Sequence, residues 1–323
     1  MLTIATAYSK FILSGEHFVV DGTPSVVLPA PCFSTTVSIE DQELPGITAI
    51  CNFDCPQAGL NKQRDKHESL VKDLIAKAAG LLGFDINNFG IRCVVRSTIP
   101  PGQGAGSSSS LCQAIVEAMI RHFLFDENAH NDKLHPNYLK WFGTQLENLW
   151  HGPVSGIDNA AIAYRRIMLY QRGQAPQYIQ LSSPLFFVAG TTGPRTDRNP
   201  YEIMRNLRQK QPLPFAAYRK AMTENATQLA VALREGDLIQ IGALMNESED
   251  IFETCGIVTD SMKNACTAAA SLGAFGARMT GAGGGGFVIA CAPIHIAEKI
   301  QTKWDSIGLK AICILPYGLE TIR

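Results

Sequence analysis

Eight of the 28 glycines in this 323-residue chain fall in two short windows, 102–106 and 281–286, and these windows constrain the fold more than any other feature. The first reads Ile99-Pro-Pro-Gly-Gln-Gly-Ala-Gly-Ser-Ser-Ser-Ser110. It lies between a predicted strand, where Ile91, Cys93 and Val95 alternate with outward-facing residues, and a predicted helix, where Leu111, Ile115, Met119 and Phe123 recur every fourth position. Gly102, Gly104 and Gly106 allow positive φ and let backbone approach a bulky anion. The serines that follow occupy the first helical turn, whose N–H groups lack intrahelical acceptors and whose dipole end is positive. The second window, Met279-Thr-Gly-Ala-Gly-Gly-Gly-Gly-Phe287, directly precedes a predicted strand. Four consecutive glycines are entropically costly, so the run is read as a backbone wall of an active site. The simpler readings are a flexible turn with a serine N-cap for the first window and a tight strand entry for the second.

Several phosphate motifs can be excluded. No Gly-Lys-[Ser/Thr] occurs, so the first window is not a Walker loop, and its G-x-G-x-G spacing departs from the dinucleotide fingerprint. His-Arg-Asp, Asp-Phe-Gly and Gly-x-Ser-x-Gly are also absent from the sequence, which argues against a protein kinase and a serine hydrolase. Charged residues make up 18% of the chain and net charge is −1, so neither nucleic acid nor an acidic tail is indicated. No apolar run reaches the ~20 residues of a membrane helix, and Lys10 lies inside the first apolar segment, so a cytoplasmic protein without a signal peptide is expected. The nine cysteines are scattered and odd in number, which speaks against a disulfide framework. Cys51 and Cys55 lack the second pair that a zinc site needs. The Asn225 and Asn246 N-x-[ST] triplets are read as chance.

The expected organisation is two α/β domains, 1–180 and 181–323, with an α+β second half. Strands are predicted at 3–8, 11–13, 26–28, 34–39, 185–189, 287–292 and 311–315. Helices are predicted at 68–82, 107–124, 138–150, 159–164 and 296–307, with a long helical region from 201 to 270 interrupted at 212–214 and 235–237.

Three segments, Ser9-Lys-Phe-Ile-Leu-Ser-Gly-Glu-His17, residues 99–109 and residues 279–287, resemble in order and position the three motifs of the GHMP kinases. This superfamily of small-molecule kinases is named for galactokinase, homoserine kinase, mevalonate kinase and phosphomevalonate kinase. Gly-Glu-His at 15–17 and Ser155-Gly-Ile-Asp-Asn159 point toward the mevalonate kinase branch. The resemblance implies a first domain like the second domain of ribosomal protein S5, with a left-handed βαβ crossover, a ferredoxin-like second domain, and ATP in the cleft between them.

The resemblance also implies roles. Asp158 matches the catalytic aspartate that orients or deprotonates the acceptor hydroxyl; its simpler reading is an N-cap of the helix that follows. Lys10 matches the catalytic lysine, pairing with that aspartate and stabilising charge in transfer. Pro101, Gly102, Gly104, Ala105, Gly106, Ser107, Ser108 and Ser109 match the ATP-phosphate loop, and Ser108 with Glu147 matches the Mg²⁺ site. Glu16, His17, Arg195, Thr280, Gly281, Ala282 and Gly283 match acceptor-binding positions, with His17 donating to the acid's carboxylate or hydroxyl. Three departures stand out: Tyr8-Ser9 replaces Pro-Gly, Arg278 replaces a common Lys, and Thr196 follows Arg195 directly. Arg165-Arg166 adds charge that would favour a phosphorylated or more acidic acceptor. The implied activity is ATP- and Mg²⁺-dependent phosphorylation of the 5-hydroxyl of (R)-mevalonate, with a homodimer among the assemblies allowed. Rival readings are a kinase for phosphomevalonate or another hydroxy acid, a non-catalytic ligand-sensing protein and a nicotinamide oxidoreductase.

Overall fold

The computed structural model describes residues 1–54, 64–124, 132–196 and 199–318. They form two compact units, and neither is one continuous stretch of chain. Unit 1 comprises Met1–Ser9, Phe33–Pro100 and Gly106–Tyr164, and unit 2 comprises Lys10–Cys32, Pro101–Ala105 and Arg165–Arg323. The boundary expected at 180 therefore differs from the observed division. The cause is strand length: β1 (Leu2–Ser14) and β2 (Ser25–Asp41) each run from one unit into the other.

In unit 1, β3 (Gly46–Phe53), α1 (Arg64–Leu82) and β4 (Gly90–Ser97) form a βαβ crossover in which β3 pairs parallel with β4 from Gly46↔Gly90 to Phe53↔Ser97. β4 pairs antiparallel with residues 35–41 of β2, from Thr35↔Ser97 to Asp41↔Ile91. Three more helices follow: α2 (Ser107–Phe123), α3 (Pro136–His151) and α4 (Ile157–Tyr164). Alternation along β2 and β4 turns Val37, Ile39, Ile91, Cys93 and Val95 inward. They share one buried core with Leu74 and Ala78 of α1, Ile115 and Met119 of α2, and Leu146 of α3.

Unit 2 contains β5 (Met168–Tyr170) and β6 (Gln177–Tyr178), which extend from residues 25–27 of β2, and β7 (Leu185–Thr191). Helices α5 (Pro200–Lys210), α6 (Pro212–Glu235), α7 (Leu238–Thr254) and α8 (Asp260–Ser271) follow. The last described elements are β8 (Gly276–Met279), β9 (Phe287–Cys291), α9 (Ile294–Ser306) and β10 (Lys310–Tyr317). The second sheet has the order β10-β7-β9-β8 with every pairing antiparallel, the arrangement of a ferredoxin-like domain. A two-unit arrangement of mixed helix and sheet, with a ferredoxin-like second sheet, is thus present as expected from the motifs.

Local differences from the sequence reading have identifiable causes. The predicted pieces 3–8 and 11–13 are one strand, as are 26–28 and 34–39. β2 runs through Pro29 and Pro31, which lie between the stretch paired with β5 and the stretch paired with β4. The long helical region breaks once more than expected, at 255–259, where Thr259 caps α8 by accepting from Met262 N at 3.4 Å. The two N-x-[ST] asparagines are used internally. Asn225 donates to Leu244 O at 2.9 Å, and Asn246 Oδ1 accepts from Ala277 N at 3.0 Å. Cys51 is buried in unit 1, and Cys55 lies outside the described residues. No described helix is long and apolar enough to cross a membrane.

Candidate active site

In unit 1 three helices converge on one carboxylate. Gly106, in the left-handed region at φ 76°, opens α2, and no side chain caps that terminus. The first-turn N–H groups are therefore arranged for an external anion. Glu147, on the inner face of α3, accepts from Ser108 Oγ at 2.6 Å, from Ser109 Oγ at 2.8 Å and from Asn159 Nδ2 at 2.6 Å. Such closeness requires a glycine on α3: a Cβ on Gly143 would lie 2.5 Å from Gln113 Oε1 and 2.8 Å from Asn159 Oδ1. The Glu147–Asn159 bond also fixes α4 against α3, and with it Asp158, the preceding residue. Asp158 is half-buried in the first turn of α4, inside the helix, so the N-cap alternative does not hold.

This cluster separates the serines. Ser107 and Ser108 are half-buried, whereas Ser109 is fully buried and bonded to both Glu147 oxygens at 2.8 Å. The Ser109 side chain thus braces Glu147. The Ser108 hydroxyl and Glu147 carboxylate form a hard-oxygen pair suited to Mg²⁺, which uses few protein ligands beside phosphates. No cluster of three or more His, Cys, Asp or Glu suited to an all-protein metal cage occurs among the described residues.

In unit 2, Lys10 of β1 is buried, with Nζ donating to Gly104 O at 2.9 Å and its backbone N to Ala105 O at 3.4 Å. The glycine windows meet back to back. A Cβ on Gly281 would lie 2.7 Å from Gly104 Cα, and one on Gly286 would lie 2.4 Å from Gln103 O. Hydrogen bonds from Gly284 N to Ile257 O at 2.7 Å and from Thr196 N to Gly284 O at 2.8 Å pin the same run. The run expected as an active-site wall is thus chiefly a packing junction, with glycine required because backbone meets backbone.

Three expected acceptor contacts are rearranged. Glu16 is buried: its Oε2 accepts from Arg278 Nη2 at 2.9 Å and its Oε1 from Gly281 N at 3.4 Å. Burial pushes its pKa up against the opposing charge of Arg278. Its carboxylate holds the second glycine window. Thr280 is likewise buried, its hydroxyl accepting from Ile12 N at 2.9 Å. His17 sits at φ 60°, an uncommon conformation for a non-glycine residue, and its Nε2 donates to Ala282 O at 2.8 Å. Desolvation lowers its pKa to about 4, with the Arg195 and Arg208 charges adding to the effect. The ring is therefore neutral and its one N–H is committed, which leaves Nδ1 as an acceptor. Donation from His17 to a ligand, expected from the sequence, is not available in this arrangement.

Around His17 lie Tyr201, with ring centroids 5.6 Å apart, and Phe252 at 6.1 Å. The Arg195 guanidinium stands 5.2 Å from the Tyr201 ring centroid, and its buried Nε has no hydrogen-bond partner among the described residues. Tyr201, at the start of α5, was not singled out from the sequence. Arg166 is exposed and packs over the Tyr178 ring at 5.1 Å.

Comparison with known proteins identifies the family and the fold. The GHMP kinase N-terminal domain model matches residues 69–166 and the GHMP kinase C-terminal model residues 229–308, together more than half of the chain. A mevalonate kinase of Thermococcus onnurineus is 28% identical over 345 residues, covering 98% of this chain and 100% of that protein. Among solved structures, L. major mevalonate kinase in complex with R-mevalonate superposes with a TM-score of 0.82 at 23% identity, covering 98% and 95% of the two chains. Streptococcus pneumoniae phosphomevalonate kinase, in complex with phosphomevalonate and AMPPNP, gives 0.75 at 16%, covering 97% and 99%. Both halves of the fold are matched in order along one polypeptide, and the chain belongs to the GHMP kinase family.

Proposed function

We propose that this protein is an ATP-dependent kinase that phosphorylates the 5-hydroxyl of (R)-mevalonate in the synthesis of isoprenoid precursors. The observation that carries the reading is the uncapped start of α2 beside the Ser108–Glu147 pair, a combination suited to the phosphates of a nucleotide and their cation. Backbone N–H groups from Gly102 to Ser108 hold the phosphates. Ser108 and Glu147 would hold Mg²⁺, which would supply charge neutralisation at the phosphates. Asp158 orients the acceptor hydroxyl and takes up its proton, and Lys10 stabilises the charge that develops.

Acceptor recognition rests on unit 2. Arg195, with its unpartnered Nε, binds the carboxylate, and His17 Nδ1 accepts from an acceptor hydroxyl. A neutral histidine suits a hydroxy acid better than a second phosphate. Arg166, over Tyr178, spends its charge at an exposed ring, which argues for mevalonate above a phosphorylated acceptor.

An acceptor panel with purified protein, ATP and Mg²⁺ tests this reading. Mevalonate should turn over fastest, and rapid turnover of phosphomevalonate with none of mevalonate would overturn the assignment. Asp158→Asn and Lys10→Met should each lower kcat by several orders of magnitude with modest change in nucleotide affinity, whereas a ligand-sensing protein would show no turnover to lose.

A further inference from the structure

Cys32 of β2 and Cys313 of β10, 281 residues apart in sequence, bring their Sγ atoms to 2.8 Å within unit 2. A disulfide bond is about 2.05 Å long, so less than one ångström of closure separates the thiols from a covalent bond. A second contact joins the same two segments: the Tyr317 hydroxyl donates to Pro29 O. The two contacts step in opposite directions, 32 with 313 and 29 with 317, so the segments run antiparallel there, with the Tyr317 side chain fixing them beside the sulfurs.

Among the described cysteines Cys32 alone is exposed; Cys313 and Cys266 are half-buried, and Cys51, Cys93, Cys112, Cys255 and Cys291 are buried. Burial pushes the Cys93, Cys255 and Cys291 thiols up to about 12, and the Cys112 and Cys266 thiols well above the ordinary range. Thiolate, the reactive form, is scarce at those positions.

We propose that Cys32 and Cys313 form a modification site, a reversible intramolecular disulfide made by hydroperoxide or by exchange with a low-molecular-weight disulfide. With hydrogen peroxide, the thiolate of the more exposed Cys32 attacks one oxygen and breaks the O–O bond, giving a sulfenic acid and, after protonation, water. The Cys313 sulfur then attacks the sulfenic sulfur, forming the S–S bond and releasing a second water. Two thiols and one peroxide become one disulfide and two waters, the two electrons passing from sulfur to peroxide. The closed loop spans most of the chain, so the bond restricts the unfolded state and resists thermal unfolding.

The test treats the full chain with one equivalent of hydrogen peroxide and, separately, with oxidised glutathione. Remaining thiols are blocked and peptides are mapped without reduction. The expected result is a cross-linked peptide pair containing Cys32 and Cys313, about 2 Da lighter than the sum of its thiol forms. Tm should rise by several degrees, reversed by dithiothreitol and lost in Cys32→Ser and in Cys313→Ser. A bridge from Cys32 to Cys55, a bridge between two molecules, sulfinic acid at Cys32 without a cross-link, or absence of reaction would each overturn the proposal.

Discussion

Arg278→Met isolates the contribution of the most buried charge pair described in the molecule. The Arg278 and Glu16 side chains are 0% and 1% exposed with N and O 2.9 Å apart, and a second guanidinium nitrogen donates to Ile12 O at 3.1 Å. Methionine fills much of the same volume but leaves Glu16 without its counter-charge and Ile12 O without that donor. Breaking a buried pair costs about 3–5 kcal/mol because the remaining ion has lost its solvation and its partner. Burial already raises the Glu16 pKa, so the bare carboxylate can escape by taking a proton, and the loss should be smaller at pH 5 than at pH 8. Arg278→Lys keeps the charge and gives up the planar pair of donors, at about 1–2 kcal/mol. Glu16→Gln combined with Arg278→Met should recover part of the loss, giving a coupling energy of about 2–3 kcal/mol. Urea denaturation of the wild type, Arg278→Met, Arg278→Lys, Glu16→Gln and the double variant measures all of this. A loss below about 1 kcal/mol for Arg278→Met, or strictly additive effects in the cycle, would refute the reasoning and reduce the pair to the value of a surface contact.

Two other perturbations test neighbouring parts of unit 2. Burial raises the Glu249 carboxyl from its ordinary 4.5 to about 7, so between those values the folded protein holds a proton that the unfolded chain has released. That stabilisation is complete below pH 4.5 and lost as pH rises to 7, so from pH 5 to pH 8 the wild type should lose about 3 kcal/mol relative to Glu249→Gln; parallel stability curves for the two proteins would sink the idea. Gly281→Ala should cost at least about 2 kcal/mol in thermal unfolding, since φ is +88° and the new Cβ meets Gly104 Cα at 2.7 Å. Gly102→Ala, with φ +73° but nothing within 4 Å, should cost about 1 kcal/mol, and equal losses at the two positions would remove packing as the cause.

Much of the fold was legible because its signals are local. The fourfold spacing of Leu111, Ile115, Met119 and Phe123 placed α2 to within a residue at either end. The division into units was not, because it depends on the two long strands β1 and β2, and no local pattern says that Lys10 and Cys32 belong with residues 165–323. At the candidate site, sequence supplied the identities and structure changed the directions. Ser108 and Ser109 are adjacent and chemically alike, yet helical rotation leaves one half-buried and turns the other into the core against Glu147. His17 lies in a motif, but its available nitrogen depends on a carbonyl 265 residues away. Cys32 and Cys313 carry no motif at all.

The Gly-Glu-His and Thr-Gly-Ala-Gly segments can be understood as one device. Glu16 accepts from Gly281 N, Ile12 N donates to the Thr280 hydroxyl, and His17 donates to Ala282 O, so three successive residues of the second segment are each bound by the chain around the first. Arg278 closes the arrangement by joining Glu16 to Ile12 O, and Glu249 holds Met279 N at 2.8 Å from the other side. Each of these bonds lies in buried or half-buried surroundings, where a lost partner is expensive. The strained φ of His17 is tolerable because its ring is anchored at the far end. A motif residue can therefore be indispensable without touching a ligand: the carboxylate of Glu16 sets where Gly281 and Ala282 lie, and Ala282 sets which nitrogen of His17 is left to accept. A loss of acceptor binding on changing Glu16 would then be transmitted through the position of the loop and the tautomer of His17. On this account, Arg278→Met should weaken acceptor binding in the same way although Arg278 has no exposed surface.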